Sequence, residues 1–200
     1  MTEHRKEKLL SVLHHRQPGL TGVMEDIHDP HNVSAMLRSA DAVGIMEVQL
    51  LYVGEAFPKL GKKSSASANK WIARRQFKTV ESCFAKLHDE GFIIYATHMG
   101  KKSKSLYDLD LTKKVAFVFG NEHRGVSAEA AKLSDENFLI PQVGMIQSLN
   151  VSVACAVTLY EAFRQRYQAG MYDASSLDEQ KEEELLNLWT LVRGKRVPKN

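Results

Sequence analysis

Short apolar runs alternate along this chain with stretches of helical periodicity, and that alternation leaves few folds open. Residues 115–119 (VAFVF) are apolar throughout, residues 48–53 (VQLLYV) are apolar but for Gln49, and residues 92–97 (FIIYAT) end on a single threonine. Strands with no polar face belong in a sheet covered on both sides. Between these runs, residues 31–43 put Val33, Met36, Leu37 and Ala40 on one helical face, and residues 80–89 turn Cys83, Phe84 and Leu87 inward. Weaker patterns predict strands over 20–26, 71–78 and 137–140, and helices over 2–16, 127–133, 149–168 and 178–193. Residues 61–70, rich in Ser, Ala and Lys, read as a loop or short helix. Strand and helix in alternation give an α/β class: a mostly parallel sheet with helices on both faces, flanked by an N-terminal and a C-terminal helix.

The expected organisation is a basic helix over 1–19, one α/β domain over 20–170, and a linker with a last helix over 171–200. Cys83 and Cys155 both sit in apolar helical patterns, so a reduced, cytoplasmic setting is expected. The N-terminal segment is charged and has no apolar h-region, and no run approaches the length that spans a bilayer. Net charge is only +3, but its distribution is uneven. Lys59, Lys62, Lys63, Lys70, Arg74, Arg75 and Lys78 fall in a window without an acidic residue. Arg5, Lys6, Lys8, His14, His15 and Arg16 mark the first helix, Lys101, Lys102 and Lys104 a loop, and Arg193, Lys195, Arg196 and Lys199 the end of the chain. Such clusters suit a polyanion.

In open parallel sheets, ligands bind beyond the carboxyl ends of the strands. The polar residues at those predicted ends are Glu25 and Asp26, Thr97 and His98, residues 120–124, and residues 141–150. Three segments stand out. Asp29-Pro30-His31-Asn32 opens a helix, with Asn32 suited to cap or orient it. Arg38 lies six residues later, about 240° around the helix, so it and Asn32 do not share a face. Its apolar neighbours predict partial burial. The second segment, FGNEHRG over 119–125, has two glycines that allow a tight turn, Glu122 to bind a cation or amine, and Arg124 to bind a phosphate. The third, PQVGMIQSLN over 141–150, enters a helix whose first turns are small or β-branched: Val151, Ser152, Val153, Ala154, Cys155 and Ala156. Ser148 and Asn150 stand where free backbone N–H groups accept an anion, and the small residues invite close approach by another backbone or subunit. No zinc spacing, phosphate-binding P-loop, dinucleotide fingerprint or nucleophile elbow is present.

Together and in this order, HNVSAMLRSADAVG, VAFVFGNEHRGVS and IPQVGMIQSLNVSVACAV resemble the three motifs of the SPOUT superfamily of methyltransferases. They are most similar to its TrmH branch, the tRNA guanosine-18 2′-O-methyltransferases. The basic first helix with Arg16-Gln17-Pro18, and AGMY at 169–172, fit the same resemblance, which spans about residues 1–172. It implies a C-terminal trefoil knot and S-adenosylmethionine bound by Thr97, Gly120, Glu122, Ile140, Ile146 and Leu149, with Met145 nearby. It implies Arg38 and Asn32 as catalytic residues, with Ser148, Asn150, Arg16 and Arg124 toward the RNA phosphate or pocket. It further implies a tRNA partner, no metal, and a homodimer through the helix over 149–168. Ribosomal RNA as substrate, and a non-catalytic RNA-binding protein of the same fold, remain alternatives. Arg38 has two readings: a general base oriented by Asn32, or a charged clamp while water takes the proton.

Overall fold

A computed structural model describes residues 2–54, 56–58, 70–100, 102–146 and 148–191. The expectations for 61–69, for Lys59, Lys62, Lys63 and Lys101, and for the basic C-terminal end fall outside these residues. The chain runs α1 (Glu3–His14), β1 (Leu20–Glu25), α2 (Pro30–Ala42), β2 (Glu47–Leu51), β3 (Ala73–Phe77), α3 (Val80–Asp89), β4 (Ile93–Thr97) and β5 (Lys104–Ser105). It continues through β6 (Val115–Phe119), α4 (Ala128–Leu133), β7 (Glu136–Leu139), α5 (Val151–Gln168) and α6 (Glu179–Leu191). The strands form one sheet in the order β3-β2-β1-β6-β4-β7-β5. Every pairing is parallel.

The apolar strands predicted from sequence lie at the centre. All of β6 is buried, and its residues alternate between two cores. Val115, Phe117 and Phe119 join the core under α2 and α5, while Ala116 and Val118 join the one under α3 and α4. That is why the run carries no polar position. Helices α2, α3, α4 and α5 each have a chemical start signal: Asp29 accepts from the His31 N–H, Thr79 from Ser82, Ser127 from Ala130, and Asn150 from Ser152. Because Asp29 caps α2, Asn32 is released from the capping role and turns inward.

The strand order is consistent with the expected knot. β7 enters between β4 and the earlier β5, and α5 then crosses to pack on α2. A third apolar cluster joins the two ends of the chain, Leu9 and Leu13 of α1 with Trp189 of α6 and Trp71. Arg16 belongs here. The resemblance put it toward the RNA, but it is 1% exposed. Its Nη1 donates to the Ile45 carbonyl at 2.7 Å and its Nη2 to Asp41 Oδ1 at 2.8 Å, and its guanidinium stands 5.2 Å from the centre of the Trp189 ring. It binds α1 to α2 and α6, and so is not a surface phosphate contact in this structure. Burial holds the two thiols inert: that of Cys83 is pushed up to about 12, and that of Cys155 is also raised.

Candidate active site at the strand ends

Three adjacent strands, β6, β4 and β7, deliver Gly120, Thr97 and Ile140 to the same edge of the sheet. Thr97 Oγ1 donates to the Val118 carbonyl at 3.0 Å, tying β4 to β6 at that edge. Gly120 is required there by close approach. A Cβ at this position would lie 2.1 Å from the Gly125 carbonyl carbon and the Val126 nitrogen, because the turn folds back on itself. After Ile140 the chain leaves the sheet as an apolar segment with little cover: Val143, Met145 and Ile146 are exposed, and Leu149 is at 39%. The polar strand edge beside an uncovered apolar wall suits a ligand with a flat apolar base and a charged tail, which S-adenosylmethionine is.

Glu122 is the hub beside that edge. Its Oε1 accepts from Asn32 Nδ2 at 2.9 Å and from the Asp29 N–H at 3.0 Å, and its Oε2 accepts from the His28 N–H at 3.0 Å. Asn32 Oδ1 in turn accepts from Asn150 Nδ2 at 3.2 Å. Residues from three distant segments thus form one network, and all three were predicted. The Glu122 carboxylate thereby holds the opening of α2 in place. Burial pushes its carboxyl up, but the Asn32 amide and the two backbone N–H groups outweigh that, and the net pKa lies below its ordinary 4.5. A carboxyl lowered on folding stabilises the protein above the ordinary value, and that stability disappears as pH falls through the folded value. Glu122→Gln is therefore expected to flatten the loss of stability below about pH 4.5, measured by urea denaturation across pH. An unchanged pH profile would remove Glu122 from the acid response.

Arg38 lies on α2 but away from this network. It is exposed, not partly buried as its neighbours suggested, and has no partner among the described residues. The angular argument accounts for this: the inward face carries Asn32, Val33, Met36 and Leu37, and six residues rotate Arg38 off it. Ser148 is exposed as well. Arg124, expected to bind phosphate, forms an ion pair with Asp26. Sequence reasoning noted Glu25 and Asp26 only as polar strand ends. The structure gives both a task, since buried Glu25 accepts from the Ser127 N–H at 2.9 Å and Asp26 holds the turn through Arg124 and Asn121. Among the described residues, no cluster of His, Cys, Asp and Glu is grouped to hold a metal ion, and no helix is long and apolar enough to cross a membrane.

Known proteins are similar to this chain in sequence and fold. A tRNA (guanosine(18)-2′-O)-methyltransferase of Thermus thermophilus is 42% identical over 94% of this chain and 96% of its own. The crystal structure of an Aquifex aeolicus TrmH/SpoU tRNA modifying enzyme superposes with a TM-score of 0.88 at 35% identity, covering 94% of this chain and 95% of that one. An AdoMet-bound rRNA methyltransferase from Sinorhizobium meliloti, 26% identical, superposes at 0.64 over 78% of this chain and 59% of its own. The sequence model of the SpoU rRNA Methylase family matches residues 19–160, from the strand that starts the sheet to the helix that carries Cys155, and the chain belongs to that family.

Proposed function

We propose that the protein is an S-adenosylmethionine-dependent tRNA ribose 2′-O-methyltransferase acting on guanosine 18 of the D-loop. The observation that carries this reading is the network Asn32–Glu122–Asn150 at the carboxyl edge of a parallel sheet, in a chain similar over nearly its whole length to enzymes named for that reaction. S-adenosylmethionine supplies a methyl group on a positively charged sulfur. Thr97, Gly120, Ile140, Ile146 and Leu149 form the wall that would hold it, and Glu122 fixes Asn32 and Asn150 beside that wall. The ribose 2′-oxygen takes the methyl as the carbon–sulfur bond breaks, and the hydroxyl proton must leave. Arg38 is exposed and its planar fork can reach an RNA phosphate, which favours the clamp: it binds the phosphate and the hydroxyl oxygen while water accepts the proton. In this reading the exposed Ser148 hydroxyl would donate a hydrogen bond to the RNA phosphate.

Arg38 and Asn32 lie on different faces of one helix, so a complete site needs a group from outside this face. A second copy of the chain answers that need. Val153, Tyr160 and Tyr167 recur at seven-residue spacing along α5 and are exposed, forming an apolar stripe suited to a homodimer. In this reading residues 20–170 form the methyltransferase domain, with the helices over 1–19 and 171–200 attached to it, and the enzyme works in the cytoplasm.

The test is methylation by purified protein with labelled S-adenosylmethionine and unmodified tRNA or rRNA transcripts, with the modified nucleotide mapped. Label on the ribose of guanosine 18 is expected. Label in rRNA alone supports the ribosomal alternative, and no label in any RNA supports the non-catalytic one. Arg5, Lys6, Lys8, Lys70, Lys78 and Lys102 are exposed and available to phosphates, whereas Arg75 is engaged by Glu47 and Glu90. The tRNA dissociation constant is expected to rise roughly tenfold or more between about 50 and 200 mM salt, measured by filter binding. A flat response would assign these residues to solubility alone.

A further inference from the structure

The ion pair between Asp26 and Arg124 plays no part in the scheme above, yet it is built at some cost. Asp26 is the residue after β1, and its backbone sits in the left-handed region at φ 48°, where side-chain-bearing residues are uncommon. Its side chain is 2% exposed. A carboxylate so buried is costly unless it is fully partnered, and this one is. Oδ1 accepts from the Val53 N–H at 3.0 Å, beyond the end of β2. Oδ2 accepts from Arg124 Nη2. The main-chain carbonyl of the same residue accepts from Asn121 Nδ2 at 2.8 Å. Asn121 Oδ1 then accepts from the His123 N–H at 2.9 Å, and the Asn121 carbonyl accepts from the Gly125 N–H at 2.8 Å.

These bonds have one geometric result. The turn over 120–127 is fastened to the end of β1 at its start through Asn121, at its middle through Arg124, and at its end through Ser127 on Glu25. Glu122, inside the same turn, reaches on to His28, Asp29 and Asn32. The position of Asn32 therefore depends on a turn that the Asp26 carboxylate holds down. The Arg124 side chain is 53% exposed, so it closes this fastening from the surface onto the buried Asp26 carboxylate.

We propose that Asp26 and Arg124 are positioning residues for methyl transfer: their ion pair latches the turn so that Glu122 holds Asn32 in place beside the cofactor wall. The inference rests on the functional reading given above. Arg124→Gln and Asp26→Asn each open the latch, and asparagine tolerates the left-handed backbone. In either variant, hydrogen exchange at the His28 and Asp29 amides is expected to speed up about tenfold while α3 is unchanged, as loss of one charge-assisted bond implies. The dissociation constant for S-adenosylmethionine or kcat is expected to worsen by about the same factor, with KM for tRNA within about twofold. The double variant is expected to match the singles, because the two residues act as one unit. Arg124→Lys, which restores a charge, is expected to recover part of the loss.

Unchanged exchange in both variants overturns the latch whatever the activity. Faster exchange with unaltered cofactor affinity and kcat reduces the pair to a structural tie and overturns the positioning role. A raised KM for tRNA in Arg124→Gln with Asp26→Asn silent makes Arg124 a direct RNA contact and also overturns it. A wild-type protein that binds no S-adenosylmethionine overturns the functional reading, and the positioning role with it. The exchange measurements still report separately whether the latch exists.

Discussion

Arg38→Ala is expected to lose methyl transfer by a factor of about 10²–10⁴ while S-adenosylmethionine still binds, the range expected for removing one group that acts on the transferred proton or the charge it leaves. Arg38 touches none of the network that shapes the cofactor wall, which is why binding and turnover should separate. Single-turnover methylation and calorimetric cofactor titration on the same preparation read the two quantities. Arg38→Lys keeps the charge but not the planar fork, and should recover only a minor part of the rate. The clamp and the base differ in one respect. A base gives a rate that rises with pH through its own titration, whereas a clamp with water as acceptor gives no such limb between about pH 7 and 9. Turnover near the wild-type level in Arg38→Ala would end both readings.

Arg166→Met is expected to cost about 3–5 kcal/mol of stability. Arg166 is 1% exposed, and its hydrogen bonds go to Leu111 O, Gln17 Oε1, Gly19 O and Lys113 O. Those acceptors belong to the approach to β1 and the approach to β6, so one guanidinium from α5 fastens both central strands where they enter the sheet. Burial lowers its pKa from the ordinary value, and Tyr172 offsets this only in part. Removing it leaves carbonyls unpaired in a dry site, and each of these costs about 1–3 kcal/mol before the chain relaxes. Urea denaturation should show the midpoint fall without a change in slope. A loss below about 1 kcal/mol would mean that water replaces the guanidinium.

Much of this architecture was readable because a strand such as β6 is apolar for a local reason. Val118 and Phe119 are buried on opposite faces, so the run over 115–119 could be nothing else. The two-residue β5 was not anticipated. Lys104 and Ser105 carry no strand preference, and they pair only because β7 lies alongside them. The motif resemblance put Asn32, Glu122 and Asn150 at one site but not the bonds between them, since no pattern within one segment predicts a bond to a residue 118 positions away. Arg16 shows the limit of charge patterning. In a basic cluster every arginine reads alike, and what buries this one is Trp189 from the other end of the chain. Arg166 was hidden for the same reason, its partners being carbonyls that every residue carries. Arg38 was misjudged because apolar sequence neighbours on a helix point elsewhere, and the 240° rotation was the better guide.

The place of β7 has a consequence for how such a chain is made. Leu20 pairs with Val115, and Lys104 waits for Phe138. During synthesis β1 and β2 emerge long before the strand that separates β1 from β4, so the ribosome releases half a sheet with its most apolar edge unpaired. The segment that becomes β5 has no place in the sheet until β7, its partner, has been translated. The full sheet can therefore close only once the chain has been made as far as Leu139 of its 200 residues.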